Sequence, residues 1–163
     1  MKSIGDIDMG RPNLGNFMPV YVYRLFELSM IDILGKEFGQ DKADEIVRTT
    51  GLQAGMVFAK DNLDLTLNFD DFIMSLQKSL SDNKIGILRI EHVNLDKGEL
   101  LLSIYEDLDC SGLPVYEEAI CVYDEGFISG ILEAYTGIQF KVKEIDCWGT
   151  GDRACRFIAR SVK

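Results

Sequence analysis

The sequence predicts an α+β protein in which helices pack on one face of an antiparallel sheet. Apolar residues recur at helical spacing over the first half of the chain, and beyond Asp82 they alternate with polar residues as they do in strands. A further helical stretch separates two pairs of predicted strands. Helices, hairpin, helix and hairpin in this order are typical of the α+β class.

Residues 1–17 are predicted to form an extended arm, because glycines and prolines interrupt them and their apolar residues lack periodicity. Residues 18–163 are predicted to form one domain, since a compact domain commonly has about 100–150 residues. Its first helix is expected from about Val20 to Phe38, with Pro19 before its first turn and Gly39 at its end.

Two more helices are expected before the sheet. One begins at Gln40 and contains Gly51 and Gly55, whose spacing of four places them on one helix face and predicts close packing against a neighbouring helix. The next helix is expected over residues 70–81, with Asn68 as its N-cap.

The sheet and a fourth helix follow. The strands are expected at residues 85–92, 100–104, 140–144 and 155–159. The first two are joined by a turn at residues 96–98, which makes them a hairpin, and a loop is expected over residues 108–118. The fourth helix contains Phe127 and Tyr135 on its apolar face and ends at Gly137.

The charge of the chain limits its partners. The chain has 27 acidic and 17 basic residues and a net charge of −10, which repels phosphate backbones, so no direct nucleic-acid partner is expected. No run of about 18 apolar residues predicts a membrane span, and no signal peptide is recognised, so a cytoplasmic protein is expected. In a reducing compartment the four cysteines indicate metal ligands, buried thiols or reactive thiols.

Four side chains around the turn at residues 149–152 predict a metal site. They are Cys121, Glu144, Cys147 and Cys155. Thiolates are soft ligands that favour zinc, and three thiolates with one carboxylate would complete a closed tetrahedral shell. Cys147 and Cys155 are expected to face each other across the second hairpin.

Glu144 fits this site only with a local irregularity, because residues three apart on a regular strand point to opposite faces. A bulge or an early end of the strand near Ile145-Asp146 is therefore expected. Asp146, Cys110 or water are the alternatives for the fourth ligand, although Cys110 is otherwise expected to be a spectator in a polar loop. Without a metal, facing cysteines would be packed small hydrophobes or would form a disulfide in an isolated sample.

Short motifs in the C-terminal part of the chain match a known pattern. They are Gly126-Phe127-Ile128-Ser129-Gly130-Ile131-Leu132-Glu133, Lys143-Glu144-Ile145-Asp146-Cys147, Gly149-Thr150-Gly151-Asp152 and Cys155-Arg156-Phe157. With Cys121 upstream, they resemble the vinyl-4-reductase domain family. The family includes a vinyl-reductase-associated protein of the chlorophyll pathway and the sensor domains of phenol- and toluene-responsive transcription activators.

The resemblance implies a fold, a cofactor and an assembly. Its fold is similar to that of a vesicle-tethering transport-particle subunit, usually dimeric, with a pocket for a small hydrophobic molecule between helices and sheet. In the sensor domains three cysteines and one glutamate hold zinc. The matching residues here are Cys121, Glu144, Cys147 and Cys155.

The leading functional hypothesis is a zinc-stabilised, stand-alone sensor or regulatory domain that binds a hydrophobic or aromatic molecule and is not an enzyme. The candidate pocket residues, each also explained as plain core, are Phe58, Phe72, Leu76, Phe127 and Ile131.

Two alternatives stay open. One is a reductase, or a reductase subunit, acting on a vinyl-bearing tetrapyrrole, for which no G-x-G-x-x-G fingerprint after a strand is found. The other is a dimeric assembly scaffold in which the aromatic first helix, with Tyr21, Tyr23 and Phe26, pairs with its copy.

Overall fold

The computed structural model of the protein describes residues 4–116 and 120–162, so the end of the predicted loop, at residues 117 and 118, lies outside the described residues. The chain divides into two compact units, Met1–Ala43 and Asp44–Lys163. The predicted division into an arm of residues 1–17 and a domain of residues 18–163 stays a prediction.

The first unit contains helices α1 (Ile7–Gly10) and α2 (Val20–Phe38). The arm is not extended throughout, because Asp6 caps the single turn of α1 by accepting a hydrogen bond at Oδ1 from the backbone N of Met9 at 2.8 Å. Helix α2 has the predicted bounds and ends at Gly39, whose N–H donates to the carbonyl of Gly35 at 3.0 Å.

Helix α3 (Gln40–Asn62) begins in the first unit and ends in the second, which also contains α4 (Phe69–Asp82) and α5 (Val122–Thr136). The predicted cap of α4 is confirmed, since Asn68 accepts at Oδ1 from the backbone N of Asp71 at 3.1 Å. Helix α5 ends at Gly137, which has the left-handed conformation typical of a helix C-terminus.

The backbones of α3 and α5 touch at four glycines. A Cβ atom at Gly55 would lie 2.1 Å from the carbonyl oxygen of Phe127, and one at Gly126 would lie 2.0 Å from a backbone oxygen of α3. Gly51 and Gly130 are equally crowded. The close packing predicted from the spacing of Gly51 and Gly55 is therefore confirmed, and its partner is the glycine pair of α5.

The sheet has four antiparallel strands in the order β1-β2-β4-β3. They are β1 (Ile87–Asn94), β2 (Glu99–Tyr105), β3 (Phe140–Asp146) and β4 (Cys155–Ser161). A short 3₁₀ helix, Trp148–Thr150, lies between β3 and β4. The predicted α+β class with an antiparallel sheet is thus confirmed.

The core of the second unit lies between its helices and the sheet. Helix α4 packs against β1, and α5 packs against β3. Phe72 and Phe157 are fully buried, and the ring of Phe72 stacks on Tyr135 with centroids 3.8 Å apart. Within residues 4–116 and 120–162, no helix is long and apolar enough to cross a membrane.

Candidate metal centre

Three secondary-structure boundaries bring the predicted cysteines together. Cys121 is the N-cap of α5, Cys147 follows β3 as the N-cap of the 3₁₀ helix, and Cys155 is the first residue of β4. A fourth cysteine, Cys110, joins them from the loop after β2. All four side chains are fully buried and unpaired by disulfides.

The sulfur atoms have the spacing of a metal-binding cluster. The Sγ atom of Cys121 lies 3.7 Å from that of Cys147 and 3.6 Å from that of Cys155, and the Sγ atoms of Cys110 and Cys155 are 3.1 Å apart. All four lie within 4.8 Å of one another. Zinc–sulfur bonds of about 2.3 Å in a tetrahedron place sulfurs about 3.8 Å apart. The two distances from Cys121 are close to this value, and the distance between Cys110 and Cys155 is shorter.

The turn after β3 supports a thiolate at Cys147. Its Sγ atom accepts a hydrogen bond from the backbone N–H of Gly149 at 3.3 Å, and its own N–H donates to Oγ1 of Thr150 at 3.2 Å. Hydrogen bonds from the other three thiols lower the pKa of Cys147, beginning with that of Cys110. A cation bound among the four sulfurs would favour the thiolate form of each of them.

Cys110 is buried among the other three cysteines, so it is not a spectator, and its position agrees with the alternative in which it replaces Glu144 as fourth ligand. Asp107 turns the loop inward, because its Oδ1 atom accepts from the backbone N of Asp109 at 2.9 Å and of Cys110 at 3.1 Å. This is an Asx-type turn, and the Asp-x-Asp-Cys sequence was the available signal. The spacing of the cysteines along the chain did not indicate that Cys110 belongs to the site, since it reaches the other three through a loop.

Glu144 lies beside the sulfurs in a buried position. Its Oε2 atom accepts from the backbone N of Cys121 at 3.1 Å, and its Oε1 atom has no hydrogen-bond partner in the described part of the chain. Burial, with the hydrogen bond and charge of Cys147, raises the pKa of Glu144 to about 8. Of the two irregularities that the sequence allowed, the structure has the bulge, because the β3–β4 register shifts between Glu144 and Asp146 and the strand continues to Asp146.

The other suggested ligand on β3, Asp146, is engaged in an ion pair. Its Oδ2 atom lies 2.7 Å from Nη1 of Arg156, which also pairs with Glu91 on β1. Asp146 is therefore held by neighbours on the sheet.

A buried carboxylate fixes the backbone of the bulge. Glu125 on α5 accepts from Nη2 of Arg48 at 2.7 Å, from Nζ of Lys143 at 2.8 Å and from the backbone N of Glu144 at 3.0 Å. Because two cations and an amide satisfy this carboxylate, its burial is compensated. Sequence analysis did not identify this link between α3, α5 and β3.

Two more buried acids lie next to the sulfurs. Asp107 and Asp124 each place an oxygen within 4.8 Å of the Sγ atom of Cys121 and of each other. Burial raises the pKa of both carboxyl groups, and each also interacts with the other. The Oδ2 atom of Asp124 has no hydrogen-bond partner among the described residues.

An apolar cavity of about 30 Å³ lies between α4, α5 and the sheet. Of the predicted pocket residues, Leu76, Phe127 and Ile131 line it, and Asp124 is its one acidic neighbour. Phe58 and Phe72 do not line it. They pack on aromatic rings instead, Phe58 on Phe127 at 5.3 Å and Phe72 on Tyr135.

Comparison with known proteins gives a family match for the C-terminal part of the chain. Residues 100–161 match the sequence model of the vinyl-4-reductase domain family. The resemblance inferred from the sequence is thereby confirmed over this part of the chain.

Sequence relatives occur in Methanocaldococcus jannaschii. One uncharacterized protein is 32% identical over 107 residues, which are 66% of this chain and 63% of the relative. A second is 25% identical over 162 residues, or 98% of this chain and 87% of the relative. The chain thus matches less than two thirds of the length of the first relative.

Solved structures share the fold at low sequence identity. The phenol-responsive sensory domain of the transcription activator PoxR, solved with phenol, has a TM-score of 0.70 at 13% identity over 90% of this chain and 76% of its own. A vinyl-4-reductase family protein from M. jannaschii has a TM-score of 0.68 at 18% sequence identity, over 100% of this chain and 99% of its own. The third structure is trafficking protein particle complex subunit 3 from Naegleria fowleri, covalently bound to palmitic acid. Its TM-score is 0.70 at 14% sequence identity, over 88% of this chain and 95% of its own.

Proposed function

We propose that this chain is a cytoplasmic, zinc-stabilised sensor or regulatory domain that binds a small hydrophobic or aromatic molecule. The observation that carries the proposal is the course of α5, which starts at Cys121 in the sulfur cluster and lines the apolar cavity with Phe127 and Ile131. One helix therefore joins the candidate metal centre to the candidate binding pocket. Four unpaired thiols suit a reducing compartment.

The proposed metal ligands are the thiolates of Cys121, Cys147 and Cys155, with Glu144 as the fourth donor that the family pattern implies. Within a closed shell of protein donors, zinc supplies a structural cross-link. The chain's own residues then hold the start of α5, the end of β3 and the start of β4 at one point. The spacing of the three sulfurs supports this role.

The chemistry of the ligand follows from the cavity lining, which consists mainly of leucine and isoleucine side chains. Such a lining favours an apolar guest. A volume of about 30 Å³ accommodates little more than a water-sized group, so a ligand enters only when lining side chains change rotamer. Phenol and palmitic acid, named with two structures of the same fold, support a hydrophobic guest.

Thermal unfolding with a panel of phenol, toluene and a long-chain alcohol tests the proposed binding. A ligand at about 100 times its Kd adds about 2.7 kcal/mol, which raises the Tm of a chain of this size by about 5–10 °C. Ile131→Phe, which fills the cavity, should abolish the shift, whereas Ile138→Phe on the exposed surface should leave it unchanged. An unchanged Tm for every compound at millimolar concentration would refute the proposal.

A homodimer is a second proposal, favoured by the surface of α2. Large apolar side chains on this helix are exposed, including Tyr21 at 73% and Phe26 at 67%. Pairing of α2 with its copy would remove them from water. Light scattering should give twice the chain mass, and Phe26→Glu should halve it, while Met74→Glu on exposed α4 surface should not. A monomeric wild type would contradict this assembly.

A further inference from the structure

Five buried donors surround a site that has room for four ligands. They are the sulfurs of Cys110, Cys121, Cys147 and Cys155 and the carboxylate of Glu144. A tetrahedral zinc shell accepts only four of them. Which donor is left out decides the charge and the chemistry of the centre.

Geometry favours Cys110 over Glu144. The four Sγ atoms all lie within 4.8 Å of one another, and within residues 4–116 and 120–162 no oxygen of Glu144 belongs to such a group. Cys110 lies nearest to Cys155, with 3.1 Å between the sulfurs. Zinc binds thiolates as readily as carboxylates, so position decides between the two donors.

The loop that carries Cys110 is fastened to the turn that carries Cys147. The indole Nε1 of Trp148 donates to the carbonyl of Leu113 at 2.9 Å, and the backbone N of Leu113 donates to the carbonyl of Cys110 at 3.0 Å. Asp107 caps the same loop from its other end. These contacts hold the fourth sulfur in place from both sides of its loop.

Glu144 has a different task in this arrangement. Its Oε2 atom accepts the backbone N–H of Cys121, the residue that caps α5. A carboxylate that hydrogen-bonds the backbone of a ligand orients that ligand without touching the metal.

We propose that in this chain the metal shell consists of the four thiolates of Cys110, Cys121, Cys147 and Cys155, and that Glu144 is a positioning residue outside it. The inference rests on the proposed zinc site and changes its fourth ligand. The chain would thereby depart from the three-cysteine, one-glutamate pattern that the family resemblance implies.

Zinc K-edge X-ray absorption of the purified full chain tests the assignment, because it counts ligands by distance. Four sulfurs at about 2.3 Å and no oxygen at about 2.0–2.2 Å are expected for the wild type. Glu144→Gln should keep zinc and all four sulfurs. Cys110→Ser should reduce the count to three sulfurs, with an oxygen in the fourth position.

The outcomes separate this inference from the proposed function. If the wild type shows three sulfurs and one oxygen, and Glu144→Gln loses its zinc, the four-thiolate shell is overturned. The proposed zinc site itself would remain. Wild type that binds no zinc on titration would overturn both. If Cys110→Ser does not fold, the wild-type and Glu144→Gln spectra still decide the question.

Discussion

At the scale of single residues, unsatisfied acidic atoms surround the sulfur cluster. Oε1 of Glu144 and Oδ2 of Asp124 are buried without hydrogen-bond partners in the described part of the chain. The nearby cations Arg48 and Lys143 are engaged by Glu125. Burial of unpaired acidic groups is costly, and a divalent cation at the sulfurs would offset part of that cost.

Loss of Cys147 or Cys155 should therefore destabilise the protein strongly, whereas in Cys110→Ser an oxygen is expected to take the fourth position. Cys147→Ser and Cys155→Ser should each abolish stoichiometric zinc and cost about 4 kcal/mol or more, equivalent to a Tm lower by about 8–16 °C. Elemental mass spectrometry and thermal unfolding measure the two effects, with the exposed substitution Ser81→Ala as control. Wild-type zinc content and melting in both variants would contradict a metal at this position.

The turn at Asp107 makes its own prediction. Asp107→Ala removes the acceptor for the backbone N–H groups of Asp109 and Cys110, so the loop should release Cys110 from the cluster. Accessibility of Cys110 to a thiol reagent in the native protein should rise at least several-fold, because lost turn bonds cost about 1–3 kcal/mol. Asp96→Ala, in the hairpin turn, serves as control. Unchanged labelling would show that Asp107 does not hold the loop.

At the scale of secondary-structure elements, the contact between α3 and α5 sets the position of the site. Gly51 and Gly55 on α3 meet Gly126 and Gly130 on α5. Because glycine has no Cβ atom, the two helix backbones can come close at these positions. Because Cys121 is the N-cap of α5, any increase in the separation of the two helices would move this proposed metal ligand. The four glycines thus influence the position of Cys121 through the separation of the two helices.

Alanine at these glycines should destabilise the protein despite its better helix propensity. Alanine gains about 1 kcal/mol in a helix, but a Cβ about 2 Å from backbone atoms forces the helices apart and costs about 1–3 kcal/mol or more. Gly55→Ala and Gly126→Ala should lower Tm, whereas Gly10→Ala, with open space around it, should not. Equal Tm values for all three would contradict the steric argument.

The elements were largely predictable and the site was only partly so. Periodicity and capping residues predicted α2 and the cap of α4, because both depend on neighbours in sequence. Cys121, Cys147 and Cys155 could be predicted to lie together, because local sequence signals place them at a helix start and beside a turn. Cys110 was only one of three alternatives for the fourth ligand and Glu125 was not identified, since their contacts join residues far apart in the chain.

At the scale of the whole molecule, the cluster of four cysteines and the apolar cavity share α5, which begins at Cys121. Removal of zinc by a chelator should lower Tm and also reduce the ligand-induced Tm shift, because the start of α5 would lose its cross-link. Re-addition of zinc should restore both. A ligand shift of equal size in the metal-free protein would show that metal and pocket are independent.

The strand order of the sheet has a consequence during synthesis. Of the four strands in the described part of the chain, β4 is synthesised last, yet it lies between β2 and β3 in the sheet. Until it emerges, β2 and β3 have no common partner and their edges stay open to wrong pairing. Cys155, its first residue, arrives after the other three cysteines, so the nascent chain can finish its sheet and gather its last thiol in the same step.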